Sequence, residues 1–218
     1  MSNSEIILVI ASALLAYTYI GYPVLLTLLP KKGVRDVARH RFTPSVTVLV
    51  VAHNEAHCID RKIEDILNLE YDNKNLQIVI GSDGSTDATE AIATRYRDFG
   101  VQVVNFSVNR GKPAVINELI PTFTSDIVVL MDSRQSVAKD ALQKLVNEFI
   151  DPEVGAVSGE LMLTSQTADT PALDGVGFYW RYEKYIRLNE SRLDSSVGVT
   201  GAFYAFRREL FNPIPEST

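Results

Sequence analysis

Gln77-Ile78-Val79-Ile80-Gly81-Ser82-Asp83-Gly84-Ser85-Thr86-Asp87 decides how this chain folds. A run of β-branched aliphatic residues stops abruptly in a polar turn with two carboxylates, hydroxyls and a glycine. Behind it, Ala88 to Arg97 can form a helix with Asp87 and Glu90 in its first turn, where the helix dipole favours negative charge. A buried parallel strand that feeds a helix in this way leaves Asp83 at the strand's carboxyl end. Open α/β sheets bind their ligands there. The same residues also read as an ordinary capped strand-to-helix connection.

The surroundings of this stretch repeat its pattern. Val46 to Ala52 is an almost unbroken apolar run, as expected of a parallel strand covered on both faces. Ile59, Ile63, Ile66 and Leu67 then recur at helical spacing. Leu76 to Ile80 and Val101 to Phe106 read as the second and third strands, and Asp126 to Met131 as the fourth. Pro113 opens a helix that reaches Ile120, a favoured place for proline. A further helix carries Leu142, Leu145, Val146 and Phe149 on one face. Val154 to Leu163 and Val197 to Phe206 read as extended, with an aromatic amphipathic helix (Phe178, Tyr182, Tyr185, Ile186) between them. Strands alternating with helices predict an α/β fold with a mostly parallel sheet and helices on both faces.

Ahead of the sheet, Ile6 to Leu29 forms a 24-residue run without a charge. As a helix it is about 36 Å long, enough to span a bilayer with some tilt. Met1 to Glu5 has no basic residue, unlike the start of a secretory signal. Gly21 and Pro23 are positioned to kink the span. Residues 1–41 hold five Lys/Arg (Lys31, Lys32, Arg35, Arg39, Arg41) against Glu5 and Asp36, a net of +3. Basic residues directly after a span predict that the body lies on the cytoplasmic side of the cell membrane. The organisation expected is an anchor over 1–30, a basic linker over 31–44 and one domain over 45–218. That body carries 16 basic and 25 acidic side chains from residue 42 onward, which argues against nucleic acid as a partner. Cys58 is the single cysteine, so no intrachain disulfide forms, and three scattered histidines predict no metal cluster.

Three carboxylates follow three of the strands: Glu55, Asp83 and Asp132. Each alone reads as a helix cap, but in a doubly wound sheet all three reach one crevice. Asp132 directly ends the run Ile127 to Met131, where an uncompensated charge is costly. A hard divalent cation, Mg²⁺ or Mn²⁺, shared with phosphate oxygens would account for it. Lys112, in Asn109-Arg110-Gly111-Lys112-Pro113, precedes a helix N-terminus and suits a phosphate, although a solvated surface lysine explains it equally well.

In this order, these residues resemble the family 2 glycosyltransferases, in particular their membrane-bound polysaccharide-synthase-like branch. The matching pieces are Val46–Ala52 with Asn54-Glu55, Asp83-Gly84-Ser85-Thr86-Asp87, Asn109-Arg110-Gly111-Lys112 with Asn117, and Asp132. Val154 to Gly159, Tyr179 to Lys184 and Gly201 to Glu209 complete the series. The resemblance implies a Rossmann-like GT-A fold behind one transmembrane helix. It also implies transfer of sugar from a nucleotide-sugar donor to a saccharide or lipid-linked acceptor, in cell-surface polysaccharide synthesis. By the same implication Asn54, Glu55 and Asp83 hold the nucleoside, Lys112 approaches the diphosphate and Asp132 binds the metal. Trp180 and its neighbours would suit a sugar face or a membrane surface.

The sequence departs from the family pattern in three places. Ser82 stands where many members have the first of two aspartates. Arg134 replaces the second carboxylate of the usual Asp-x-Asp and is expected either to pair with phosphate, taking over part of the metal's work, or to mark a reduced dependence on metal. The acidic pair that supplies the general base is expected beyond the Gly201–Glu209 segment and is not found, so the domain reads as incomplete at its carboxyl end. A non-catalytic nucleotide-sugar-binding module, acting as partner or regulator of a complete synthase, is the alternative reading. A dinucleotide-binding oxidoreductase is disfavoured, because Ala52-His53-Asn54-Glu55 stands where G-x-G-x-x-G would follow the first strand.

Overall fold

The computed structural model describes residues 2–29, 41–160, 171–196 and 198–215. The linker residues Lys31, Lys32, Arg35 and Arg39, the end of the extended segment at 161–163, Val197, and Glu216 to Thr218 lie outside these. In chain order the elements are α1 (Asn3–Ala16), α2 (Tyr22–Leu28), β1 (Val46–Ala52), α3 (Ile59–Leu67), β2 (Leu76–Asp83) and α4 (Thr89–Thr94). There follow β3 (Val101–Phe106), α5 (Lys112–Leu119), β4 (Ile127–Met131), α6 (Ala141–Asn147), β5 (Ala156–Ser158), α7 (Pro171–Leu193) and β6 (Phe203–Arg207). They divide into two compact units, Met1–Arg35 with Leu163–Gly198 and Asp36–Met162 with Val199–Thr218.

In the larger unit six strands form one sheet in the order β3-β2-β1-β4-β6-β5. The first four are parallel, and β6 runs antiparallel to both β4 and β5. The sheet is therefore mostly parallel, as predicted, with an antiparallel pair added beyond β4. A single long-range contact marks the reversal. The Asp132 N–H donates to the Ala202 carbonyl at 2.8 Å, so β6 begins where β4 ends and has to run back along it.

Period-two alternation in the strands builds two cores. Val46, Val48, Val50, Ile78, Ile80, Ile127 and Val129 face one side, against Ile59, Ile63 and Ile66 of α3 and Leu142, Leu145 and Val146 of α6. Leu49, Val79, Val128 and Leu130 face the other, against Val115, Ile116 and Leu119 of α5. Full burial of one such side chain contributes about 1.5–3 kcal/mol, which explains why both faces of the central strands are apolar. At Gly81 any Cβ would come 2.9 Å from Val115, so the missing side chain lets α5 sit close on β2. Thr47 is buried in β1, and its hydroxyl lies 2.8 Å from Ser125 Oγ and 2.9 Å from Gln77 Oε1.

In the smaller unit, Asn3–Leu28 is one continuous helix of 26 residues, long and apolar enough to cross a membrane. Ser2 and Glu5 close its start as a reciprocal capping box. Between α1 and α2 it widens into a π-helical turn over Tyr17–Gly21. Pro23 has no N–H to give to the carbonyls four and five residues before it, Tyr19 and Thr18. The Tyr182 hydroxyl of α7 takes that place, 3.0 Å from the Tyr19 oxygen and 3.4 Å from that of Thr18. A second hydroxyl, on Tyr22, donates to Glu190 of the same helix. The kink expected from Gly21 and Pro23 is thus a π turn bound by the late helix.

Candidate functional site

The parallel register brings three strand ends level. Ala52 of β1 lies opposite Ser82 of β2, and Val50 lies opposite Met131 of β4. Glu55, Asp83 and Asp132 consequently leave the same edge of the sheet, as predicted.

After β1 the chain turns through Asn54, which takes a left-handed φ of 54°, a conformation asparagine tolerates better than most residues. Its Oδ1 accepts from the Thr86 N–H at 2.8 Å and from the Asp87 N–H at 3.3 Å. Its own N–H donates to Ser85 Oγ at 3.2 Å. His53 Nδ1 donates to the Asp83 carbonyl at 2.7 Å, which leaves Nε2 to accept from the Asn54 amide. The β1 and β2 turns are therefore one bonded unit.

Asp83 is 2% exposed, and backbone donors occupy both its carboxylate oxygens. Oδ1 accepts from the Arg110 N–H at 2.9 Å and Oδ2 from the Gly111 N–H at 2.8 Å. Its geometry is that of a clamp on the loop leading to Lys112. Gly84, with φ 61°, makes the clamp possible, because a Cβ there would stand 2.2 Å from the Asn109 nitrogen. Lys112 is half-buried in the first turn of α5. Five residues on, Asn117 donates to the Ile214 carbonyl and accepts from the Ile214 N–H, each at 2.8 Å.

Glu55 is 7% exposed and pairs with Arg134, whose Nε and Nη2 lie 2.9 and 2.8 Å from Oε1. Its Oε2 accepts from the Cys58 thiol at 3.1 Å, and its N–H donates to Thr89 Oγ1. The Arg134 hydrogen bond holds the Glu55 carboxyl below the ordinary range, against the opposing effect of burial. Burial, then the neighbouring carboxylate, pushes the Cys58 thiol up.

Sequence reasoning missed three features of this edge. Glu55, His57 and Cys58 place an oxygen, a nitrogen and a sulfur within 4.8 Å of one another, although the histidines are scattered in sequence. Arg134 already occupies Glu55 and the thiol holds its proton, so this set does not suit a hard cation. The carboxylate of Asp132, half-buried at the end of β4, does suit one that is also bound by phosphate oxygens. Second, His53 links the first two strand ends. Third, Lys62 is 2% exposed, and its Nζ donates to the Gln135 carbonyl. Burial lowers this lysine to about 8, with the Asp65 and Asp132 carboxylates acting in the opposite direction. The available signal was its place beside Ile59, Ile63 and Ile66 on the buried face of α3.

Residues 47–214 match the family described as Glycosyl transferase family 2. The poly-β-1,6-N-acetyl-D-glucosamine synthase of Staphylococcus epidermidis is 24% identical over 179 residues, covering 81% of this chain and 43% of that protein. A β-monoglucosyldiacylglycerol synthase of Nostoc is 33% identical over 118 residues, covering 52% of this chain and 25% of that one. Among solved structures, a mannosyltransferase from Pyrobaculum calidifontis in complex with GDP-mannose and Mn²⁺ superposes with a TM-score of 0.72 at 28% identity. That match covers 93% of this chain and 56% of the mannosyltransferase. The chain thus spans between a quarter and rather more than half of these three relatives. With the family match running across the sheet from β1 to beyond β6, the chain belongs to glycosyltransferase family 2.

Proposed function

We propose that this chain is a membrane-anchored glycosyltransferase that binds a nucleotide-sugar donor and passes the sugar to a saccharide or lipid-linked acceptor. The observation that carries the reading is the meeting of Glu55, Asp83 and Asp132 at one sheet edge, with Asp83 clamping the Lys112 loop beside them. Relatives that make poly-N-acetylglucosamine and a glycolipid, and a mannosyltransferase that holds GDP-mannose and Mn²⁺, support it.

In this reading Asn54 and Glu55 shape the nucleoside end, and Asp83 acts through the loop it holds. Lys112 and the N-terminus of α5 meet the diphosphate, where negative charge grows as the donor bond breaks. Asp132 holds a divalent cation, Mn²⁺ or Mg²⁺, which would neutralise part of that charge. Arg134 exchanges its bond to Glu55 for one to a phosphate oxygen, a planar cation matched to either partner. The organisation proposed is an anchor over 1–30, a linker over 31–44 and a transferase domain over 45–218. The basic residues after the span support a place for that domain on the cytoplasmic side of the cell membrane.

The test is transfer or hydrolysis of UDP-N-acetylglucosamine and GDP-mannose by membranes containing the chain, with Mn²⁺ present. Asp132→Ala should abolish the reaction. Failure to bind any nucleoside diphosphate, with or without Mn²⁺, would overturn the reading. Arg134 in the second carboxylate position favours one other outcome, nucleotide binding without turnover, which identifies a donor-binding module.

A further inference from the structure

A lysine with its side chain inside the protein needs a reason, because removing an ammonium from water is expensive unless something compensates. Among the described residues Lys62 is one of the large side chains that are fully buried, on a helix face otherwise made of isoleucines. An aliphatic residue would fill the same space without that cost. The compensation lies on the loop that leaves β4. The Lys62 ammonium donates to the Gln135 carbonyl, and the adjacent Arg61 donates from Nη2 to the Arg134 carbonyl at 3.4 Å. Two consecutive cations of α3 therefore grip two consecutive carbonyls, directly after Asp132 and Ser133.

These carbonyls belong to the segment that begins with Asp132 and carries Arg134. At its start the Asp132 N–H is fixed to the Ala202 carbonyl. Between these two ties lie the Asp132 carboxylate and the guanidinium that reaches Glu55. A loop fixed at both ends holds its side chains to a small range of positions. Misplacement of a charged group by about 1 Å can cost a hundredfold in function.

We propose that Lys62 is a positioning residue, whose buried ammonium ties α3 to the Asp132–Gln135 loop and so sets the placement of Asp132 and Arg134 for a metal-bound diphosphate. The proposal rests on the donor-site reading above. Lys62 touches neither donor nor metal and acts through the backbone of Gln135.

The experiment compares the full chain with Lys62→Met, which keeps an unbranched side chain one atom shorter and removes its charge. Three quantities are read: the thermal midpoint, amide exchange at 133–136 without ligand, and the gain in GDP or UDP affinity on adding MnCl₂. The midpoint should stay within about 4 °C, because an aliphatic side chain is well suited to the site. Amide protection at 133–136 should fall about tenfold. The Mn²⁺-dependent gain should also fall about tenfold, with metal-free affinity unchanged. Lys62→Arg, which keeps a cationic donor, should restore most of it. A Lys62→Met protein with protection and Mn²⁺ response equal to the wild type overturns the proposal. A wild type without any Mn²⁺ response overturns the donor-site reading instead. If Lys62→Met does not fold, Arg61→Ala removes the exposed donor of the pair and should reduce the Mn²⁺ gain about threefold. An unchanged gain in that variant overturns the proposal.

Discussion

Nε and Nη2 of Arg134 converge on a single oxygen of Glu55, at 2.9 and 2.8 Å, joining the segment after β4 to the turn after β1. The carboxylate is buried while the guanidinium is 66% exposed. One partner is fixed and the other can leave. Arg134→Ala should therefore strand the Glu55 charge and remove a phosphate partner together. We expect donor affinity to fall about tenfold, equivalent to about 1.4 kcal/mol, in a calorimetric titration with GDP or UDP. Unchanged affinity would remove Arg134 from the donor site.

The same pair sets an acid limb. Glu55 titrates below its ordinary 4.5 because Arg134 hydrogen-bonds its charged form. A carboxyl depressed in this way binds fewer protons folded than unfolded. Its stabilisation is complete above about pH 5 and is lost as pH falls through 4.5 and on through the folded value. Thermal midpoints measured from pH 7 to pH 3 should decline less steeply for Glu55→Gln than for the wild type. Parallel declines would show that the pair adds nothing.

Asp83→Asn probes the loop clamp. Two backbone N–H groups point at the two carboxylate oxygens, and an amide offers an acceptor to only one of them. The other N–H then faces an NH₂ in a buried site, at a cost of about 1–3 kcal/mol. The urea midpoint should drop accordingly, and nucleoside diphosphate affinity should drop with it, because the loop carries Lys112. Loss of stability with full affinity would separate the clamp from the site.

Gly84→Ala and Gly100→Ala form a controlled pair. Both positions have positive φ, 61° and 86°, and so both substitutions pay about 1–2 kcal/mol for a left-handed backbone. Only at Gly84 does the new Cβ also meet backbone, 2.2 Å from the Asn109 nitrogen; at Gly100 it meets nothing within 4 Å. Chemical denaturation should show Gly84→Ala as clearly the worse of the two, with the excess reporting the approach of the 108–111 loop.

The parallel part of the sheet was legible because burial on both faces forces apolar runs, and Val46–Ala52, Leu76–Ile80 and Ile127–Met131 have little else in them. The direction of β6 was not. It depends on a contact between Asp132 and Ala202, which are 70 residues apart, and no local pattern encodes that. The long extended segment expected from Val154 is a strand only over Ala156–Ser158 among the described residues. At the site, strand ends betrayed Glu55, Asp83 and Asp132, because a carboxylate closing an apolar run is conspicuous. How each carboxylate is used was hidden: Asp83 spends both oxygens on its neighbours, and Glu55 spends one on Arg134. Lys62 was hidden more deeply: its place beside Ile59, Ile63 and Ile66 was the one sign of burial, and a lysine in a helix otherwise reads as solvent-facing.

Pro23 is more than a bend in the amino-terminal helix. In a rod that satisfies its own backbone, it supplies no N–H to the turn before it, where the Thr18 and Tyr19 carbonyls lie. Tyr182 reads that address with one hydroxyl. The amino-terminal helix therefore serves as a template for α7. A helix about 150 residues later in the chain finds its seat on that feature. Phenylalanine at 182 and alanine at 23 would erase the same message from opposite ends, one by removing the reader and the other by removing what is read.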